Sequence, residues 1–347
     1  MATAPVGGER AAATLDDVAR QAGVSRATVS RALSGHSAVR PETRRIVQAA
    51  ARQIGYVLNQ TARSLATRHA GAVGVLIPEP DERVFTDPFF SRIFRGAMSA
   101  FAGTDTHVLL GITNSSTPGW GPSGQNPMDL LGSGRLDGAV IVSHHEAATS
   151  ALAEVAAQPV PVVFVGDPQV PGAPFVDLRN REAARIATRR LIEGGRTRLA
   201  MVCGPADMHA ARERRAGFLE ELAAHGLEPV AQVVGDFTMQ TGRRATADFL
   251  AGRPGIDGIF AASDLTAWGA LQALSEAGLQ VPEDVALVGF DDSPVAEAVT
   301  PALTTMTNPA ETLARTAATM LRDLIDGRAP AHRQVLVSSD LVVRRSA

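Results

Sequence analysis

The sequence predicts an α/β protein: a three-helix, helix-turn-helix headpiece at the N-terminus, a short connecting segment, then two Rossmann-like subdomains. Three observations lead there. Residues 14–33 carry apolar side chains at helical spacing, broken once by Gly23-Val24-Ser25. From about residue 71 onward, short apolar runs alternate with helical patterns in two successive series. Charge is also segregated. Residues 1–70 hold ten arginines against four carboxylates, a net of +6, whereas the whole 347-residue chain carries −3, which leaves −9 for the remainder. A basic module on an acidic body is the electrostatic footprint of a nucleic-acid-binding domain fused to something else.

The first helix begins at Thr14, whose hydroxyl suits an N-cap, with Asp16 and Asp17 in the first turn where the helix dipole favours negative charge. Leu15, Val18, Ala19 and Ala22 form its inward stripe, and Gly23 fits the left-handed residue that ends a helix. Ser25 caps the second helix; Val29 and Leu33 point inward, while Arg26, Ala27, Ser30 and Arg31 face outward. A third helix runs from about Pro41 to Ile54, with Pro41 at its first position and Ile46, Val47, Ala50 and Ile54 as its apolar stripe. Spacing alone also fits a plain helical hairpin with a solvated face. As a helix-turn-helix, the second helix would lie in a DNA major groove. Arg26 and Arg31 can then bond guanine edges, Ala27 leaves room for a thymine methyl, and Ser25, Thr28, Ser30 and Asn59 are placed to meet phosphates.

In the body, buried-strand patterns cover residues 72–77, 107–113, 138–142, 160–165, 199–203, 233–234, 258–262 and 285–290, with helices from about Phe89 and from Arg181 to Glu193. Such alternation implies parallel, doubly wound sheets, with ligands beyond the carboxyl ends of the strands. The sole cysteine, Cys203, lies in an apolar run and excludes an intrachain disulfide framework. His144-His145 lack a third ligand at metal-binding spacing, so a cleft-lining loop is expected there and no metal. No dinucleotide, Walker or nucleophile-elbow motif occurs, so neither a cofactor nor catalysis is expected. No apolar run approaches a membrane span, and residues 1–13 read as a disordered arm without the apolar core of a signal peptide; a cytoplasmic protein is expected. Residues 113–127, rich in Gly, Pro and Ser and holding Trp120, predict a mobile loop.

The stretch from Thr14 to Leu65 resembles the lactose-repressor (LacI/GalR) family of bacterial transcription regulators. The resemblance rests on T-L-D-D-V-A, A-G-V-S-x-x-T-V-S-R-A-L, P-E-T-R at 41–44 and G-Y-x-x-N-x-x-A-R-x-L, with Leu58 standing where the family has proline. It continues through 87–90 (DPFF), 136–138 (LDG), 212–218 (RERRAGF), 260–264 (FAASD), 288–292 (VGFDD) and 301–306 (PALTTM), similar to the periplasmic sugar-binding-protein fold. That resemblance implies a division into a headpiece (14–58), a hinge helix and linker (59–70) and an effector-binding and dimerisation domain (71–347). Its chain would cross between subdomains near Phe175, Pro301 and Ala331, giving an N-subdomain of about 71–175 and 301–330 and a C-subdomain of about 176–300 and 331–347.

The hinge helix would fold only on palindromic operator DNA, paired with its dimer mate, with Ala62 and Leu65 in the minor groove and Leu65 as the wedge between base steps. The absence of a heptad extension after Arg344 argues for a dimer over a tetramer. The effector site would draw on Phe89, Phe90, Arg212, Phe237, Ser263 and Asp291. Here Asp291 and Arg212 would bond sugar hydroxyls or else form a structural pair, Phe237 would stack on the ligand or else fill the core, and one of Phe89 and Phe90 would line the cleft. Ser263 stands where family members often have asparagine, and Asp264 reads as a helix cap. The effector implied is a small carbohydrate; a nucleobase or nucleoside, or a phosphoprotein corepressor, fits the same fold. A sugar-binding protein without a regulatory role is the reading from another class.

Overall fold

The computed structural model describes residues 13–33, 39–56, 69–113, 129–146, 149–252 and 255–347, which fall into two units, Met1–Ala70 and Gly71–Ala347. The expected hinge helix, with Asn59, Ala62 and Leu65, lies outside the described residues. So do nearly all of the N-terminal arm and of the 113–127 loop, Trp120 included.

In the first unit three helices form: α1 (Leu15–Ala22), α2 (Arg26–Leu33) and α3 (Pro41–Gln53). Thr14 makes a reciprocal capping box with Asp17: its Oγ accepts from the Asp17 amide at 3.3 Å, and its own amide donates to Asp17 Oδ2 at 3.0 Å. Gly23 closes α1 at φ +66°, where a side chain would be strained. Ser25 Oγ accepts from the Thr28 amide at 3.1 Å and starts α2. Val18, Val29, Ala32, Val47, Ala50 and Ala51 form the small core, with Leu15, Leu33 and Ile54 packed on it. Ile46 departs from expectation: it is 50% exposed, and Ala51 takes its place in the buried stripe. The stripe follows helical phase through 47, 50, 51 and 54, and Ile46 sits about 100° away from Val47.

The second unit is built on two six-stranded sheets. The first holds β1 (Ala72–Pro80), β2 (His107–Thr113), β3 (Gly138–Val142), β4 (Val162–Val165), β5 (Phe175–Leu178) and β11 (Gln334–Val337), in the order β11-β5-β4-β3-β1-β2, all parallel. The second holds β6 (Leu199–Val202), β7 (Ala231–Val233), β8 (Gly258–Ala261), β9 (Ala286–Asp291), β10 (Thr304–Thr307) and β12 (Leu341–Val342), in the order β12-β10-β9-β8-β6-β7, parallel except for β12. The intervening helices are α4 (Asp81–Thr86), α5 (Pro88–Ala100), α6 (Asp129–Gly132), α7 (Thr149–Ala156), α8 (Asn180–Glu193), α9 (His209–Ala224), α10 (Met239–Gly252), α11 (Asp264–Glu276), α12 (Pro294–Ala298) and α13 (Ala310–Ile325). Central strands such as β3 and β8 are buried along their whole length, as parallel strands covered on both faces must be.

The chain passes between the lobes three times, but later than expected. β5 still belongs to the first sheet, so the first passage follows Leu178; β10 belongs to the second, so the next lies near Asn308; β11 and β12 belong to different sheets, so the last lies between Val337 and Leu341. The expected breaks at Phe175, Pro301 and Ala331 each fall at or just before a short strand whose polar residues, such as Asp177, Thr304 and Gln334, interrupt the apolar run that marks a buried strand in sequence.

In the second lobe, α10 and α11 cross where Gly242 faces the Thr266 backbone and Gly269 faces that of Met239 and Arg243. A Cβ at Gly269 would overlap the Met239 carbonyl, which cannot yield without moving α10. Gly269→Ala is therefore expected to destabilise this lobe by about 1–3 kcal/mol, read as a lower urea midpoint at unchanged slope; a midpoint equal to wild type would contradict the close approach.

Candidate nucleic-acid interface and interlobe cleft

The outward face of α2 carries Arg26, Ala27, Ser30 and Arg31, all exposed; Ser25 just before it is exposed and Thr28 half-buried. Arg31 Nε donates back to the Ala27 carbonyl at 3.2 Å, and Arg26 Nη1 lies 3.6 Å from Asp16. Both contacts are solvent-exposed and weak, so either guanidinium can exchange its partner for a stronger acceptor. The Ser25 and Thr28 hydroxyls meet at 2.8 Å at the N-terminal end of α2, a place where helix geometry favours an anion such as phosphate.

In the second unit the carboxyl ends of both sheets converge on a cavity of about 100 Å³. The first lobe contributes Asp87, Phe89, Phe90, Ser143, His144 and Asp177; the second contributes Asn180, Met208, Arg214, Phe237, Ser263 and Asp291; Asn308 comes from the second passage between lobes. This is the crevice in which open α/β sheets bind ligands.

Asp291 ends β9 with φ +111°, and Phe237 holds φ +66°. Strain of this kind persists where surrounding structure enforces it, often at sites. Burial drives the Asp291 carboxyl above the usual carboxylate range, opposed by the Arg214 guanidinium at 3.9 Å and by Asn308 Nδ2, which donates to it at 2.9 Å. Arg214 is buried. Its Nε donates to Asn180 Oδ1 at 2.9 Å and its Nη1 to the Ala262 carbonyl at 2.6 Å, while its plane stacks 3.6 Å from the centre of the Phe290 ring. Burial lowers its pKa, and Asp291 is the first of the carboxylates opposing that. Asp87 caps α5 by accepting from the Phe89 amide at 2.9 Å; burial, and then Asp291, push its pKa up to about 6. Asn308 is buried, and its Oδ1 has no hydrogen-bond partner, so the cleft holds one acceptor that the protein leaves open.

Two arginines tie this wall together. Arg92 of α5 donates to the Asp291 carbonyl at 3.1 Å and to the Asn308 carbonyl at 2.6 Å, joining the first lobe to the second. Arg83 of α4 pairs with the buried Glu79 at 2.7 Å and lies over the Phe90 and Phe237 rings, 5.8 and 5.6 Å from their centres.

Of the residues expected at the effector site, Phe89, Phe90, Phe237, Ser263 and Asp291 line the cavity, both phenylalanines of the pair among them. Phe90 also belongs to the first lobe's core and Phe237 to the second's. Arg212 does not line the cavity: it sits on the rim with Nη1 bonded to Glu146 at 2.6 Å, and Arg214 takes the inner position. Two residues apart on a helix point about 200° apart, so only one of the two can face inward. Ser263 is the cap of α11, accepting from the Thr266 amide at 3.1 Å and donating to the Phe237 carbonyl at 3.1 Å. Asp264 is therefore not the cap. It is buried, accepts from Thr305 Oγ1 at 2.6 Å and the Ser293 amide at 2.7 Å, and is raised to about 7 by burial and by Asp291. Arg83, Arg92, Arg214 and Asn308 were missed in the sequence; Arg214 alone had a signal there, in the repeated arginines of 212–215 read at the wrong phase. His144 is bonded to the Gly166 carbonyl at 3.2 Å and His145 to two carboxylates. Cys203 is buried, with its thiol pushed up to about 11 by burial. Among the described residues, no helix is long and apolar enough to cross a membrane.

Comparison with known proteins covers both units. Residues 14–59 match the family of bacterial regulatory proteins of the lacI type, and residues 188–347 match a periplasmic binding protein-like domain. The chain is 37% identical over 341 residues to the HTH-type transcriptional regulator CelR of Thermobifida fusca, covering 96% of this chain and 98% of that one. The solved complex of the transcriptional regulator CelR with cellobiose is similar with a TM-score of 0.73 at 35% identity, over 96% of this chain and all of that one. A lac repressor dimer bound to operator and the anti-inducer ONPF is similar with a TM-score of 0.83 at 26% identity, over 97% of this chain and 99% of that one. Helix-turn-helix headpiece, two-lobed body and these matches lead to one conclusion: the chain belongs to the lacI family of bacterial transcriptional regulators.

Proposed function

We propose that the protein is a dimeric repressor whose hold on a palindromic operator is set by a small carbohydrate bound between the two lobes. The observation that carries the effector class is the cleft wall itself. Asp291, Arg214 and Asn308 present acceptors and donors side by side in a cavity that the Phe237 and Phe90 rings also line. Polar groups with aromatic side chains in the same cavity match a ring that is hydroxylated at its edge and apolar on its face. That a CelR 35% identical to this chain has been solved in complex with cellobiose supports the same class.

Arg26, Ala27 and Arg31 read the major groove, Ser25, Thr28, Ser30 and Asn59 hold phosphates, and Ala62 and Leu65 enter the minor groove as the hinge helix folds. Lobe closure shifts the two hinges, which makes hinge folding the element that both ligands bias. The protein works in the cytoplasm, on operator DNA.

A thermal-shift panel of cellobiose, maltose, glucose and a nucleoside, run on wild type and Asp291→Ala, tests the reading. A true effector at a hundredfold excess over its Kd adds about 2.7 kcal/mol, a rise of several degrees, which Asp291→Ala should lose. A shift with the nucleoside alone would move the assignment to that class, and a sugar shift retained in Asp291→Ala would refute the cleft placement.

A further inference from the structure

Beside the cleft, His145 is buried between a carboxylate from each lobe. Its Nε2 lies 3.1 Å from Glu79 Oε1, at the end of β1 in the first lobe; its Nδ1 lies 2.9 Å from Asp207 Oδ2, in the loop after β6 in the second. Ionised carboxylates are acceptors only, and a neutral imidazole has a single N–H. Both contacts can be hydrogen bonds only when the ring carries two protons. Remove one, and a ring lone pair faces a carboxylate oxygen.

The surroundings decide which contact gives way. Glu79 is fully buried and fixed by two more partners: Ser143 Oγ donates to it at 2.6 Å, and Arg83 of α4 pairs with it at 2.7 Å. Its pKa is held low by His145 and Arg83 against the effect of burial, so it stays ionised. The Asp207 side chain is half exposed and can turn to water. Two more bonds join the lobes at the same place. The Glu146 amide donates to the Asp207 carbonyl at 2.7 Å, and the Glu146 carboxylate pairs with Arg212 of α9 at 2.6 Å. His144, Asp167 and His209 complete the charged and titratable groups around this rim.

We propose that His145 is a proton-operated latch between the lobes: its imidazolium ties Glu79 of one lobe to Asp207 of the other, and loss of one proton undoes that tie and weakens the hold on the second lobe. The latch is independent of which effector the cleft takes. Parting the lobes removes Asp207, so the closed form binds the proton more tightly than the open one. The His145 pKa, raised from 6.5 by Glu79 and Asp207 against burial, sets the sign. Closure is favoured most below the pKa that His145 keeps in the open form, where Glu79 still meets the ring, and the advantage is lost as pH rises through the higher value of the closed form. Any ligand that closes the cleft should then bind more tightly in mildly acid solution.

The test uses the full chain without ligand. Carbon-13-labelled histidine NMR follows the eight histidines with pH, and the resonance missing in His145→Gln identifies His145. Its midpoint should lie above 6.5, and Asp207→Asn should lower it by at least about half a unit, a factor of about three in proton affinity. In parallel, hydrogen exchange of the segment ending at Glu146, corrected for its intrinsic pH dependence, should show protection that falls as pH rises in wild type and is low throughout in both variants. A midpoint unmoved by Asp207→Asn, or protection that does not change with pH in wild type, overturns the latch. Because no sugar enters either measurement, failure of the carbohydrate assignment would leave both results standing. Asp207→Asn, at a half-exposed side chain, keeps the test open if His145→Gln folds poorly.

Discussion

Replacing Arg214 by alanine is expected to cost the two-lobed unit about 3–5 kcal/mol, the usual result of leaving a buried charge without its partner. The substitution strands Asp291, which lies mostly buried at the end of β9, and leaves the Asn180 oxygen and the Ala262 carbonyl without the donor they now share. It also empties the space over Phe290, where the guanidinium packs at 3.6 Å. The loss should vary with pH in a fixed direction. Asp291 already titrates above its ordinary value because of burial, and removing Arg214 raises it further. A carboxyl whose folded pKa lies above its unfolded value destabilises the fold once pH exceeds that unfolded value, and the penalty fades as pH falls back through the folded one. Urea unfolding at pH 5 and pH 7.5 should therefore show a smaller deficit at pH 5. A deficit under about 1 kcal/mol, equal at both pH values, would mean that Arg214 does not support Asp291 in the way described. The variant should also fail to respond to any cleft ligand.

Arg31→Ala should weaken operator binding by about 2–6 kcal/mol, or roughly thirtyfold and upward. One bidentate contact to a base carries about 1–3 kcal/mol of discrimination, and a two-fold dimer carries the substitution in both half-sites. The side chain is exposed and its Nε contact to the Ala27 carbonyl lies within its own helix, so its removal should leave the headpiece folded. Gel-shift titrations against an operator and a scrambled duplex separate the outcomes. Loss on the operator with little change on the scrambled site supports base readout. An equal loss on both, with a shallower salt slope, would reassign Arg31 to phosphate.

What the sequence disclosed and what it hid divide along a physical line. The Thr14 cap, the left-handed Gly23 and the Ser25 cap are local, each set by residues a few positions apart, and all were legible, although the reciprocal bond from Asp17 that completes a capping box was not read. The two series of strands were legible because buried parallel strands are continuous apolar runs. Choices of phase were not. Ile46 was preferred to Ala51 because it is the larger apolar residue, although the helix turns it outward. Arg212 was chosen over Arg214 although only the second faces the cleft. Convergence from distant parts of the chain left no trace at all. Glu79, His145 and Asp207 meet from positions more than sixty residues apart, and Asn308 reaches Asp291 only because the chain recrosses there.

The three passages between lobes also bear on how the protein is made. Neither lobe is one continuous stretch of chain. α13 completes the core of the first lobe, and the last strand of each sheet, β11 and β12, comes from residues 334–342. Pairings of this span make folding slow and late. During synthesis the headpiece, with every one of its core residues before Tyr56, can fold while most of the chain is still being translated. Both lobes must wait for the final residues to leave the ribosome. A chain cut short would thus carry a folded DNA-reading head on an unfinished body, exposed to proteolysis and unable to hold its dimer partner. Interleaving the lobes in this way ties the power to bind an operator to the presence of the part that can be told to let go.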